Sequence, residues 1–101
     1  MHGNTMLRVE MNNSDHTVIL KLEGRLTGEG ADHVRNFVTR CPTHMKLMID
    51  LTDVTFIDSV GEEVLSLFRR FGAEFLAETS YSLDICERLQ LSLARNDASP
   101  I

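Results

Sequence analysis

Residues 46–71, KLMIDLTDVTFIDSVGEEVLSLFRRF, carry a strand pattern followed by a helix pattern. This stretch begins with a short apolar run at 47–51 that only Asp50 interrupts, a pattern typical of a buried central strand. It ends with apolar residues at the spacing of one helix face, namely Val60, Val64, Leu67, Phe68 and Phe71. We therefore predict a strand near 46–51 and a helix over 60–71, joined by a turn at 55–59.

Ser59 lies in this turn and has two interpretations. The sequence from Ser59 to Glu62 fits the S-x-x-E capping box, in which the serine is the N-cap and the two side chains bond each other's free backbone N–H groups. A hydroxyl at a strand-to-helix turn is also accessible, and helix N-termini bind phosphate well. The spacing alone favours the structural role, with Glu62 and Glu63 stabilised by the helix dipole.

Length and composition limit the class of protein. The chain has 101 residues, of which 43% are hydrophobic and 25% charged, which suits one compact domain with a real core. Its net charge of −5, without a basic cluster, argues against binding nucleic acid or an anionic membrane. No apolar run approaches the ~20 residues of a membrane span, and the N-terminus lacks the pattern of a signal peptide. We expect a cytoplasmic protein.

No pattern predicts an enzyme, a metal site or a cofactor. Cys41 and Cys86 form no C-x-x-C motif and are expected to be reduced, packed thiols. The glycine-rich loop predicted at 24–30 lacks phosphate-binding spacing, and Ser59 lacks the G-x-S-x-G context of a hydrolase nucleophile. No pair at ligand spacing occurs among the four histidines, His2, His16, His33 and His44.

We assign structural roles, and not catalytic or binding roles, to two carboxylates and two arginines. Asp50 and Asp58 could in principle be a catalytic pair. We expect instead that Asp50 marks a strand end and that Asp58 shapes the turn. Arg69 and Arg70 are expected on a solvated helix face.

The remaining chain predicts the order β-β-α-β-α-β-α. Strands at 6–11 and 17–23 form an antiparallel hairpin through a turn at 12–15. The helix near 31–41 ends at Pro42, and the helix at 60–71 is closed by Gly72. A weak edge strand at 73–77 precedes a helix capped by Ser80 or Ser82, and 96–101 is a loose tail. The expected fold class is α/β, a four-stranded mixed sheet with helices packed on it and a core over about 6–92.

The segment IDLTDVTFIDSVGEEVL, residues 49–65, resembles the signature of the STAS domain family. The family pattern is a strand ending D-L-S, followed by V-x-F-(I/M)-D-S-S-G-L-x-x-L. Asp50, Phe56, Asp58 and Gly61 match it, and the G-R-L at 24–26 resembles the G-x-L before the family's first helix. The family includes bacterial anti-sigma factor antagonists and the cytoplasmic tails of sulfate transporters. The resemblance implies a single STAS-like domain over 1–101, with the order of elements given above.

The resemblance also implies a function. In the antagonists, the serine after the aspartate is the phosphoacceptor for an anti-sigma factor with serine kinase activity, and this role falls on Ser59. The chain would then be a non-enzymatic phospho-switch that regulates transcription by binding that partner. The implied partner surface consists of Thr27, Asp58, Ser59, Val60, Gly61, Glu62 and Glu63.

Three departures from the pattern keep a second function open. Val60 replaces the second serine, Glu62 replaces a leucine, and Thr27 replaces an aspartate common after G-x-L. Val60 leaves a single hydroxyl in the turn, while Glu62 and Thr27 alter the charge that a partner would meet. The alternative is a scaffold subunit of a lipid-transport or stress-signalling complex, without phosphorylation. The sequence leaves the oligomeric state open.

Overall fold

The computed structural model describes residues 7–40 and 44–94, and the predicted order of elements is confirmed. The Cys41-Pro42 helix end, the tail and His2 lie outside the described residues. The seven elements are β1 (Leu7–Ser14), β2 (Thr17–Leu26), α1 (Gly28–Arg40), β3 (Lys46–Ile57), α2 (Ser59–Arg70), β4 (Glu74–Leu76) and α3 (Ser80–Leu89).

The four strands form one mixed sheet in the order β1-β2-β3-β4. β1 and β2 are antiparallel, which confirms the hairpin, while β3 is parallel to both β2 and β4. The predicted turn at 12–15 is wrong, because pairing continues to Ser14 and Thr17 and leaves a turn of only two residues. Asp15 there takes a left-handed conformation, with φ of 48°, which aspartate tolerates better than most residues.

The predicted loop at 24–30 is also wrong. β2 continues to Leu26, which pairs with Ile57 of β3, after two register shifts in which β3 supplies an extra residue each time. β3 is therefore longer than the apolar run at 47–51. Asp50 consequently lies inside the strand and not at its end. Its carboxylate accepts a 2.9 Å hydrogen bond from the Thr52 N–H.

One face of the sheet forms the core together with the helices. The most deeply buried large side chains include Phe68 of α2 and Phe75 of β4. The buried side of α2 consists of Gly61, Val64, Leu65 and Phe68, so the predicted apolar face was partly wrong. Phe71 is 59% exposed because α2 has ended before it.

The predicted caps can be compared with the structure at the end of α2 and at the start of α3. Gly72 closes α2 as predicted: it has φ of +83°, and the N–H groups of Gly72 and Ala73 bond the carbonyls of Arg69 and Phe68 at 3.0 and 3.1 Å. This is a Schellman motif. The cap of α3 is Thr79, not Ser80 or Ser82, although Ser82 completes the capping box as its N3 residue.

β4 is the short edge strand that was expected. Across 7–40 and 44–94, no helix combines the length and apolarity that a membrane crossing requires.

Candidate functional site

Asp58 connects the first turns of two helices. It lies between the end of β3 and the start of α2, and its Oδ1 accepts a 2.9 Å hydrogen bond from the Gly61 N–H. Its Oδ2 accepts a longer one, 3.3 Å, from the Gly28 N–H at the start of α1. The Gly61 N–H, and to a lesser extent the Gly28 N–H, hold the pKa of Asp58 below its usual value. The prediction that Asp58 shapes the turn is confirmed.

The prediction that Ser59 is the N-cap of α2 is wrong, because Asp58 is the cap. Asp58 has the extended backbone of a cap residue, and aspartate is as good a cap as serine. Ser59 is the first helical residue and is exposed. Glu62 then lies one position beyond that of a capping-box glutamate. Its carboxylate instead accepts a 3.0 Å hydrogen bond from Arg88 of α3.

Three further contacts fix the turn beneath Ser59. The Asp58 N–H donates to the Leu26 carbonyl at 3.3 Å, and the Ile57 N–H donates to the Tyr81 hydroxyl at 2.8 Å. Gly61 is buried against β2, where a Cβ would lie 2.8 Å from Ile57 Cγ2 and still closer to the Leu26 carbonyl. Glycine is thus the residue that lets α2 approach the sheet this closely.

The structure brings the predicted site residues together in one region. Thr27 directly precedes α1, and its carbonyl accepts a 2.9 Å hydrogen bond from the Ala31 N–H. The hydrogen bond from the Gly28 N–H to Asp58 holds Thr27 and Gly28 beside the Ser59 turn. Burial within the predicted set varies: Ser59 and Glu63 are exposed, Thr27, Asp58, Val60 and Glu62 are half-buried, and Gly61 is buried.

An open groove of about 770 Å³ follows the exposed side of α2 from Ser59 to Arg70. Its walls carry both charges, with Glu62 and Glu63 toward the start of α2 and Arg69 near its end. Arg35 of α1 also lines it. Sequence reasoning missed Arg35, Tyr81 and Arg88 because each lies on another helix, and no spacing within one helix reveals which side chains meet across two.

Cys86 is a free, buried thiol on α3, as predicted, and burial raises its pKa to about 11. Within the described parts of the chain, no group of three histidine, cysteine or carboxylate side chains is arranged to hold a metal ion.

The family model described as STAS domain matches residues 8–74, more than half of the chain. The chain belongs to the STAS domain family. The matched region ends at the start of β4, so α3 of this STAS domain lies beyond it. Tyr81 and Arg88 therefore support the Ser59 turn from outside the region that the family model matches.

Solved structures give the same fold. An anti-sigma factor antagonist from Mycobacterium paratuberculosis is 17% identical, with a TM-score of 0.72, over 89% of this chain and 83% of that one. The unphosphorylated form of the anti-sigma factor antagonist SpoIIAA is 14% identical, with a TM-score of 0.68, over 83% and 82%.

An uncharacterised protein of the DUF3478 family from Shewanella loihica, with a SpoIIAA-like fold, is 14% identical, with a TM-score of 0.60, over 97% and 93%. At these identities the likeness shows the fold alone. No protein with a curated description matches the chain.

Proposed function

We propose that this STAS domain is a non-enzymatic switch that binds an anti-sigma factor with serine kinase activity, and that the kinase phosphorylates Ser59. In this proposal unmodified Ser59 permits binding and its phosphate prevents it. The partner would contact the Ser59 turn and the exposed side of α2. The protein would act in the bacterial cytoplasm as a regulator of transcription.

The observation that carries the proposal is the exposed Ser59 at the first position of α2, on a turn that Asp58 ties to α1. Because Asp58 supplies the cap, the serine hydroxyl is not needed to start the helix. A kinase requires a hydroxyl that can leave the surface far enough to enter its active site. Ser59 is exposed, and hydrogen bonds of Asp58 and Ile57 hold the backbone beside it.

The charges around Ser59 support phosphate as an off-signal. A phosphate adds about −1.5 to −2 charge at neutral pH, beside Asp58 and one turn from Glu62 and Glu63. Arg88 of α3 already engages Glu62 at 3.0 Å, so this cation is committed to a carboxylate of α2. A docked partner would bring the added charge into an interface, where like charges cost several kcal/mol.

The fold of solved anti-sigma factor antagonists also supports the proposal, since two of them cover more than four fifths of this chain. Val60 in place of the family's second serine leaves Ser59 as the one hydroxyl beside Asp58. Modification of the turn would therefore be confined to a single position.

The binding test uses the purified chain and the anti-sigma factor kinase encoded nearest to it in the source genome. Calorimetry should show that Ser59→Asp weakens the complex at least about 100-fold, as expected for an uncompensated charge within an interface. Ser59→Ala should bind like the unmodified protein. Ser80→Asp is the matched control, because Ser80 is an exposed serine at the first position of α3, and its affinity should not change.

The modification test is incubation with the same kinase and ATP, followed by phosphopeptide mass spectrometry. Phosphate should appear on Ser59 and be absent from Ser59→Ala. Equal affinity of the wild type and Ser59→Asp would overturn the switch. If, in addition, a lipid-transport or stress-signalling subunit binds both forms equally, the scaffold function replaces it.

A further inference from the structure

The two edge strands of the sheet, β1 and β4, differ in how far other segments of the chain cover their free backbone groups. β4 is three residues long and is covered by the segment at 92–94, where the Phe75 N–H donates to the Ser92 carbonyl and the Ala94 N–H to the Phe75 carbonyl, both at 2.8 Å. β1 is eight residues long, and β2 is its one strand neighbour within the described residues. Long open edges are sites where another strand pairs.

β1 lacks three features that often prevent such pairing, namely a bulge, a proline and a lysine. All eight residues pair with β2 in unbroken register, without a bulge. The strand contains no proline and no lysine. On its core side, Met11 is 52% exposed. An apolar recess of about 260 Å³ lies next to it, lined by Met11, Val18, Leu20, Phe37 and Leu47 together with the polar Asn13 and Arg40.

The hairpin fixes which backbone groups of β1 face outward. Across the two-residue turn, Ser14 and Thr17 are the closing pair, which is hydrogen-bonded in hairpins of this length. Bonded and non-bonded pairs then alternate along the strand. The N–H and C=O groups of Leu7, Val9, Met11 and Asn13 therefore point away from β2 and remain available.

We propose that β1 pairs antiparallel with β1 of a second copy of this chain, with Val9 on the two-fold axis. This register places Arg8 of each copy opposite Glu10 of the other, which makes two opposite-charge pairs on the outer side of the sheet. It places Leu7 opposite Met11 on the core side, beside the apolar recess. The two copies then form one continuous sheet of eight strands.

Other registers match less well. Centring the pair on Glu10 sets two Glu10 side chains opposite each other, and like charges directly opposite are destabilising. Centring it on Met11 sets Glu10 opposite Asn12 and Arg8 opposite Ser14, and so leaves both charges without a partner of opposite sign across the new contact.

The two charged residues are available for these pairs. Arg8 has 75% of its side chain exposed and holds Glu23 only at 3.5 Å. Among the described residues, Glu10 makes no ion pair, since Lys21 on the neighbouring strand bonds Asp53 and Glu23. The proposed contact also leaves the Ser59 turn free, because β2 lies between β1 and β3 in the sheet.

The test is sedimentation equilibrium of the full chain over concentrations from about 1 μM to about 1 mM, the range of weak to moderate self-association. The wild type should pass from one 11.4 kDa chain to twice that mass. Arg8→Glu and Glu10→Arg each create like-charge pairs and should each raise the dissociation constant about tenfold. The double variant Arg8→Glu/Glu10→Arg restores opposite charges and should restore the dimer.

Val9→Pro is the backbone variant. Its missing N–H is one that faces away from β2, so the hairpin keeps its hydrogen bonds. The new pairing loses two, because each copy lacks the N–H at position 9 that would donate to the other. This variant should remain a monomer with the wild-type far-UV circular dichroism spectrum, which shows that it folds. A wild type that stays at one chain mass throughout, or a dimer that neither Val9→Pro nor the charge swaps weaken, would overturn the proposal.

Discussion

Asp58 accepts hydrogen bonds from two helices, from Gly61 at 2.9 Å and from Gly28 at 3.3 Å, so its charge affects two elements at once. These N–H groups stabilise the carboxylate and lower its pKa from the ordinary value of 3.8. Protonation weakens both bonds. The stabilisation is therefore complete above the unfolded-state pKa and is lost as the pH falls through the lower pKa of the folded state.

Thermal unfolding of the wild type and Asp58→Asn between pH 7 and pH 2 checks this link. The variant should melt at a lower temperature at pH 7, and the difference should shrink as the pH falls below 3.8. Glu87→Gln, on the exposed side of α3, corrects for the loss of one negative charge. A difference between wild type and Asp58→Asn that stays constant down to pH 2 would show that the ionised carboxylate does not tie the helices.

The same residue shows how far the sequence could resolve the site. The pattern located the turn, the start of α2 and the exposed serine, but it assigned the cap one residue too late. Aspartate and serine are adjacent here and are both strong caps. Asp58 also accepts the Gly28 N–H across the fold, from 30 residues away, and local spacing contains no sign of that contact.

The packing of α2 on the sheet depends on the absence of a side chain at position 61. A Cβ there would press on Ile57 and the Leu26 carbonyl. We expect Gly61→Ala to lower the free energy of unfolding by about 1–3 kcal/mol, the usual cost of overpacking. Urea unfolding at 25 °C measures this change.

Gly28→Ala is the matched control for Gly61→Ala, because a Cβ on Gly28 would meet nothing within 4 Å. It should leave the stability unchanged or raise it by about 0.4–1 kcal/mol, since alanine restricts the unfolded chain. Equal effects of the two substitutions would mean that α2 can shift away from β2 without cost.

The strands show which features of an element a sequence pattern reveals. Alternation identified the hairpin, and the apolar run identified β3, because burial on one or both faces repeats along the chain. The bounds of β2 and β3 were missed because two register shifts extend their pairing. A bulge depends on how two strands fit each other, so neither strand's own sequence indicates it.

At the scale of the whole molecule, one buried cluster includes residues from β2, β3, β4 and all three helices. The order of elements was predictable because each helix and strand carries its own periodic signal. The contacts between the elements were not predictable, and the contact made by Tyr81 is the clearest case. Its hydroxyl accepts the Ile57 N–H and so links α3 to the end of β3.

A shared core predicts that α3 unfolds together with the rest of the molecule. Urea unfolding followed by the fluorescence of Tyr81, the single tyrosine in a chain without tryptophan, should coincide with unfolding followed by far-UV circular dichroism. Ile85→Val in α3 and Ile49→Val in β3 each remove one fully buried methyl group. Each should lower the free energy of unfolding by about 0.5–1.5 kcal/mol and move both curves together. If Ile85→Val shifts the fluorescence curve alone, α3 is a separate unit, and its contacts through Tyr81 and Arg88 open before the sheet does.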